Sequence, residues 1–152
     1  MDLRAMLKAL KFTQLLPTEK FKNNSAFGGN TYVDTLGLSA ILFLFDLGTT
    51  DVIVGSGGTS LPPFIEECDT TGGSYTAVDD AELAAVLAAN GDSKLRGIFI
   101  DLTKTHKRYM QVNAPTAGNA TGANLSILAI GFPSDQMPGS AADMGLAELI
   151  EV

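Results

Sequence analysis

Few residues in this chain can do chemistry. There is one cysteine, Cys68, and one histidine, His106. A hydrolytic centre needs a nucleophile, a base and a group that orients the base. His106 lies in Lys104-Thr105-His106-Lys107-Arg108, just ahead of a strand pattern. Its cationic neighbours suit neither ion-pairing nor a strong base, so it reads as a surface histidine in a turn. Cys68 follows Glu66 and Glu67 and precedes Asp69. That setting lacks the positive charge that activates a thiol. One cysteine cannot form an internal disulfide, and Cys68 with His106 cannot complete the usual four-ligand zinc site.

Glu66, Glu67, Asp69, Asp79, Asp80 and Glu82 form the densest acidic group. Hard cations favour oxygen ligands, but this spacing matches no EF-hand loop, and nothing selects a catalytic carboxylate pair. A solvated acidic face is expected. The glycines at 28–29, 55, 57–58 and 72–73 precede no Lys-Ser or Lys-Thr pair, so there is no P-loop. Three Asn-x-Ser/Thr matches, at Asn23, Asn119 and Asn124, are read as chance. Lys107-Arg108-Tyr109 has the residue types of a base-stacking site. The net charge of −7 argues against a duplex nucleic-acid partner. A packed tyrosine with exposed cations is the plainer reading. No catalytic residue, cofactor or metal is expected.

Charge is unevenly spread. Residues 1–22 carry Arg4, Lys8, Lys11, Lys20 and Lys22 against Asp2 and Glu19. Residues 23–93 carry acids and no base, and residues 94–108 are basic again. A basic arm thus precedes an acidic body with one basic segment, which reads either as ordinary surface solvation or as docking on surfaces of opposite sign.

These residues must be positioned by strands. The chain has 152 residues, 45% of them hydrophobic and 18% charged, with a mean hydropathy of +0.19. One domain with a sizeable core is expected. The longest apolar run, Ala40 to Phe45, is far short of the about 20 residues that cross a bilayer. The charged start Met1 to Lys8 does not resemble a signal peptide. Strands are expected at 31–35, 38–47, 52–54, 63–68, 74–78, 95–102, 107–114 and 123–132, with a turn over 116–122. One helix is expected after a cap at Asp79 or Asp80, with Leu83, Val86 and Leu87 on one face and Asn90-Gly91 as its stop. Short strands with turn signals between them predict an all-β fold. The expected architecture is a single β-sandwich, jelly-roll-like, with one short helix and extended terminal arms. Its boundaries are an arm over 1–30, the sandwich over 31–133 and a tail over 134–152. Leu3, Met6, Leu7 and Leu10 have helical spacing, whereas Leu15 and Leu16 fall off that register. Pro17 would end the helix. The tail has room for a turn of helix over Leu146, Leu149 and Ile150.

Several pieces, in this order, form a recognisable series. They are Val33-Asp34-Thr35-Leu36-Gly37-Leu38, Ile65-Glu66-Glu67-Cys68-Asp69, Ser74 to Leu83 with Tyr75-Thr76-Ala77-Val78, Lys107-Arg108-Tyr109, and Gly131-Phe132-Pro133. The series resembles the small structural proteins of tailed bacteriophages. No arginine follows Gly-Phe-Pro here, and the tail is longer. The resemblance implies a virion component, made in the host cytoplasm, and in particular a capsid decoration (cement) protein. Such a protein would bind the outside of the major capsid protein lattice as a homotrimer, with no enzyme activity, cofactor, nucleic acid or membrane. Leu3, Met6, Leu7 and Leu10, with Leu146, Leu149 and Ile150, are the expected interface anchors. A tail or head–tail connector component and a carbohydrate-binding β-sandwich module are the alternatives.

Overall fold

The computed structural model describes residues 9–21, 31–50, 53–54, 62–84, 94–113, 116–117 and 123–134. They form ten strands: β1 Lys11–Phe21, β2 Val33–Asp34, β3 Leu38–Thr50, β4 Ile53–Val54, β5 Phe64–Cys68, β6 Thr76–Glu82, β7 Lys94–Asp101, β8 Tyr109–Asn113, β9 Thr116–Ala117 and β10 Ala123–Pro133. One four-stranded sheet has the order β1-β10-β3-β7, and a second has the order β2-β8-β5-β6. All of these strand pairs are antiparallel, and β4 pairs with β9 as a small separate ribbon. With that ribbon set aside, every connection crosses between the sheets except β5 to β6. This is the winding of an eight-stranded jelly roll. The all-β sandwich expected from the patterning is the fold.

The core lies between the sheets. Ile41, Phe43, Phe45 and Leu47 of β3 alternate inward, as the two-residue period of a strand requires. Leu125, Ile127 and Ala129 of β10 and Ile98 and Ile100 of β7 join them from the same sheet. Val33, Ile65, Met110 and Val112 close the core from the other.

Two sequence expectations are corrected. The sandwich begins at Lys11, inside the span read as an arm. There β1 pairs with β10 from Lys11↔Gly131 to Phe21↔Ala123, as an edge strand. Register shifts fall between Gln14 and Leu16 and between Leu16 and Glu19. The first bulge turns both Leu15 and Leu16 into the core, which strict alternation would forbid. Pro17 lies at the second shift. A proline lacking an N–H is tolerated on an edge strand at a bulge. What looked like a helix stop is therefore a bulge.

The second correction is the helix. Asp79 and Asp80 do not cap one; they lie in β6, which runs on to Glu82. Two steps along β5, from Phe64 to Glu66, face five along β6, from Glu82 to Ala77. The surplus is taken up where Asp80 adopts a φ of 60°. Ala81 and Leu83 then point into the core, and the Leu83 amide donates to the Pro63 carbonyl at 2.9 Å. Val86, Leu87, Asn90 and Gly91 lie outside the described residues. The span read as a turn at 116–122 contains β9, which pairs with β4.

The outer face of the β1-β10-β3-β7 sheet is unusual. Antiparallel sheets that face water normally alternate apolar inward and polar outward. Here a row of four apolar side chains crosses all four strands on the outside. It runs Phe12, Ile130, Leu42, Phe99 by direct register. The next row outward-facing along the strands is Gln14, Leu128, Leu44 and Gly97. Phe99 is 62% exposed and Leu95, further along β7, is 64% exposed.

Candidate functional site

The motifs that carried the sequence resemblance meet in space. Asp34 is their hub. Its Oδ1 accepts from Arg108 Nε at 2.9 Å and from the Leu36 amide at 3.1 Å, and its Oδ2 accepts from Arg108 Nη2 at 2.8 Å. This fork-on-fork pairing is the strong geometry for a guanidinium and a carboxylate. Arg108 holds the Asp34 carboxyl below its ordinary value, and Asp34 in turn strengthens the protonation of Arg108. The Asp34 carbonyl accepts from Lys11 Nζ at 3.3 Å, which ties in β1. The turn after β2 closes with Leu38 N donating to Thr35 O at 3.0 Å, and Gly37 has the φ of 79° that a type II turn needs at its third position. Ser134 donates to the Gly37 carbonyl from its amide, at 2.9 Å, and from its hydroxyl, at 3.2 Å. Asp34, Gly37, Arg108 and the residue after Pro133 are thus one polar clasp at the end of the sandwich. Tyr109 packs edge-on against Tyr32 with centroids 5.2 Å apart, under the Arg108 guanidinium. Lys107 Nζ donates to Thr76 Oγ1 at 2.8 Å. The Lys-Arg-Tyr segment is committed to these internal partners.

An open cleft of about 490 Å³ lies between β6, β7 and the loop from β7 to β8. Its walls include Glu67, Asp79, Asp80, Phe99, Asp101, Lys104, Thr105 and His106. His106 is paired here, contrary to the sequence reading. Its Nδ1 lies 2.9 Å from Glu67 Oε2, and both side chains are about 85% buried, at 16% and 15% exposure. The same oxygen accepts from the Lys107 amide at 3.2 Å. Thirty-nine residues separate the partners, so no local pattern could reveal the pair. Asp101 Oδ1 accepts from the Thr103 amide and hydroxyl, which keep its carboxyl below the ordinary range. A carboxylate-oriented imidazole is half of a catalytic constellation, but among the described residues no serine or cysteine lines this cleft. Glu67 pins the loop that carries His106, and the exposed carboxylates and the Phe99 ring offer contacts to a polar ligand.

The other acids are separate in space and role. Glu66 accepts from Gln111 Nε2 and Asn113 Nδ2, each at 3.0 Å, on β8. Among the described residues, no group of three or more His, Cys, Asp or Glu could hold a metal ion. Cys68 is buried at the end of β5, where the glycine turn passes so close that a Cβ on Gly73 would lie 2.6 Å from its Sγ. No described helix is long and apolar enough to cross a membrane.

Of the expected interface anchors, Leu10 is described; it is half-buried and directly precedes β1. Leu3, Met6, Leu7, Leu146, Leu149 and Ile150 lie outside the described residues. The strands that lead to them end together, because β1 starts beside Gly131 where β10 finishes. Sequence reasoning missed the apolar face beside that point. Its signal was present in the unbroken run Ala40 to Phe45, where every outward position of β3 is also apolar until Asp46.

No family model matches the chain, and no curated protein matches it. Among solved structures, the chain is similar to a chain in the structure of infectious bursal disease virus, Gx strain. The identity is 16%, the TM-score is 0.45, and the match covers 86% of this chain and 33% of that one. The chain therefore spans about a third of that neighbour's length, and a likeness of this size establishes no shared function.

Proposed function

We propose that the protein is a virion structural component of the capsid decoration (cement) type, binding the outside of a major capsid protein lattice as a homotrimer. One observation carries the reading: an eight-stranded jelly roll that leaves the outer face of one sheet apolar across all four strands. Phe99 and Leu95 stand exposed on that face and Phe12, Leu42 and Ile130 are half-buried, and an apolar face of this kind suits an interaction surface. Jelly rolls serve as capsid domains and as lectins, so the fold itself decides nothing and the surface must. The ordered resemblance to small phage structural proteins supports the virion setting. Its motif residues are engaged in holding the domain together, which suits a structural part rather than an enzyme. Shell binding by such a domain stabilises the shell by mass action, because it favours the assembled state it recognises. Leu3, Met6, Leu7 and Leu10, at the basic end of the chain, are the proposed shell anchors.

Quantitative mass spectrometry of purified particles tests this reading. Copy number near that of the major capsid protein is expected. A few to a few dozen copies would move the protein to the tail or the head–tail connector. Absence from particles would overturn the structural role. A second reading is favoured by one feature: Phe99 stands exposed at the cleft beside Asp79, Asp101 and Lys104, an aromatic platform with polar neighbours. That arrangement suits a carbohydrate-binding module. Titration against a glycan panel discriminates, since saturable binding lost in Phe99→Ala would favour the module.

A further inference from the structure

An edge strand offers unpaired amides and carbonyls to any matching strand, and proteins guard such edges with prolines, bulges, charges or short length. The two large sheets end in β1 and β7 and in β2 and β6. β1 carries Pro17 and the register shifts around Leu16. β2 is only 2 residues long. β6 carries Asp79, Asp80 and Glu82 and the left-handed backbone at Asp80. β7 is the least guarded. It runs 8 residues without a proline, and it pairs with β3 without a register shift. Its Lys94 and Arg96 lie on the face opposite to Leu95 and Phe99, and Asp101 at its end is engaged by Thr103.

The register tells which backbone groups face outward. The Leu102 amide donates to the Ser39 carbonyl at 3.0 Å, so these two residues are a hydrogen-bonded pair. Such pairs alternate along an antiparallel ladder. Ile100, Ile98 and Arg96 therefore bond across to β3, while Phe99, Gly97 and Leu95 aim their amides and carbonyls away from it. Among the described residues no strand pairs with β7 on that side, and an open cleft parts it from β6 at Phe99. Leu95 and Phe99 are also the exposed large apolar side chains of this strand.

A second copy of β7 fits this edge. In an antiparallel pair the outward-bonding residues of one strand oppose those of the other. With Gly97 opposite the partner's Gly97, Leu95 falls opposite the partner's Phe99, and Phe99 opposite the partner's Leu95. The opposed residues exchange about six hydrogen bonds. Each exposed apolar side chain then covers one of the other kind at cross-strand contact distance. Lys94 and Arg96 fall opposite isoleucines of the partner, so no like charges meet directly.

We propose that β7 pairs antiparallel with β7 of a second copy across a twofold axis at Gly97, joining two β1-β10-β3-β7 sheets into one. The contact uses the 8 residues of β7 on each side. A standard interface uses about 20–30, so this dimer is weak and dissociates on dilution. The pairing does not depend on the virion reading. One consequence does rest on it: a twofold contact cannot lie within a trimer. On a shell it would join neighbouring trimers, whose fixed spacing raises the effective concentration.

Cysteine mixing in the full-length protein tests the register. In a Cys68→Ala background, Leu95→Cys protein and Phe99→Cys protein are oxidised separately and as a mixture. Positions 95 and 99 lie about 13 Å apart along a strand, too far for a bridge within one chain or between like positions of the pair. Mixed-position dimers are expected to form about tenfold or more faster than like-position dimers. Equal rates, the mark of random collision, or no dimers at all would overturn the proposal. Sedimentation gives a reading without cysteines, and association of the parent that rises with concentration is expected. Leu95→Glu with Phe99→Glu sets carboxylates opposite each other and should raise the dimer Kd about tenfold or more, whereas Leu95→Lys with Phe99→Glu sets opposite charges and should restore pairing. A parent of constant mass, or a double-glutamate variant that associates like the parent, would refute the pairing. Because these readouts use purified protein, their failure is separate from absence of the protein in particles.

Discussion

Replacing Glu67 by alanine removes one oxygen that serves two donors, His106 Nδ1 at 2.9 Å and the Lys107 amide at 3.2 Å. Hydrogen bonds to a charged group contribute about 1.5–3 kcal/mol each, and the partial exposure of both side chains reduces these to about 1–2 kcal/mol each, so about 2–4 kcal/mol is expected for the two. For a chain of this length 1 kcal/mol moves Tm by about 2–4 °C, which gives a fall of roughly 4–16 °C. Glu67→Gln retains an acceptor oxygen without the charge and should lose about half as much or less. His106→Ala removes only one bond, and the double mutant should cost less than the sum of the singles, with a coupling of about 0.5–3 kcal/mol. Urea and thermal melts of the four proteins measure this, and amide exchange at Lys107 reports the loop directly. The reasoning fails if Glu67→Ala melts within a degree of the parent. It also fails if the cycle shows no coupling, which would mean that the pair is already replaced by water.

Other perturbations follow from particular contacts. Arg108 lowers the Asp34 carboxyl below its ordinary 3.8. That contribution is complete above the unfolded value and is lost as pH falls through the lower folded one. Arg108→Ala should therefore flatten the acid side of a stability–pH curve below 3.8, and an unchanged acid limb would count against the pairing. Tyr75 has a buried hydroxyl with no hydrogen-bond partner among the described residues, and burial pushes its ionisation up. Tyr75→Phe should be neutral or stabilising by urea melt, because it removes an unmet donor. Phe43 is fully buried, so Phe43→Ala should cost about 3–5 kcal/mol, whereas the exposed Phe99→Ser should stay within about 0.5 kcal/mol of the parent in the same assay. Asp80 holds a φ of 60°, so Asp80→Val should lose about 1–2 kcal/mol while Asp80→Gly keeps parental stability.

Much of the fold was legible along the chain. The alternation of Ile41, Phe43, Phe45 and Leu47, the turn at Gly37 and the short strands between turn signals depend on local backbone geometry, which neighbouring residues set. They determined an all-β sandwich and most strand positions. Other features belonged to the tertiary structure because their causes lie far away in sequence. Leu15, Leu16 and Pro17 look like a failed helix until β10 supplies the partner that makes them a bulged edge strand. Asp79 and Asp80 look like a helix cap until pairing with β5 draws β6 through Glu82 and forces Asp80 into a left-handed conformation. His106 looks solvated until β5 brings Glu67 beneath it, and the segments around Asp34 and Arg108 look dispersed until the two side chains pair. The outer apolar face is the fullest case. Phe12, Leu42, Phe99 and Ile130 are unremarkable singly, and each strand's pattern says only that it alternates. Their alignment into one row is fixed by strand register, and register is set by which strands pair, through ladder hydrogen bonds and inward packing that only the assembled sandwich contains.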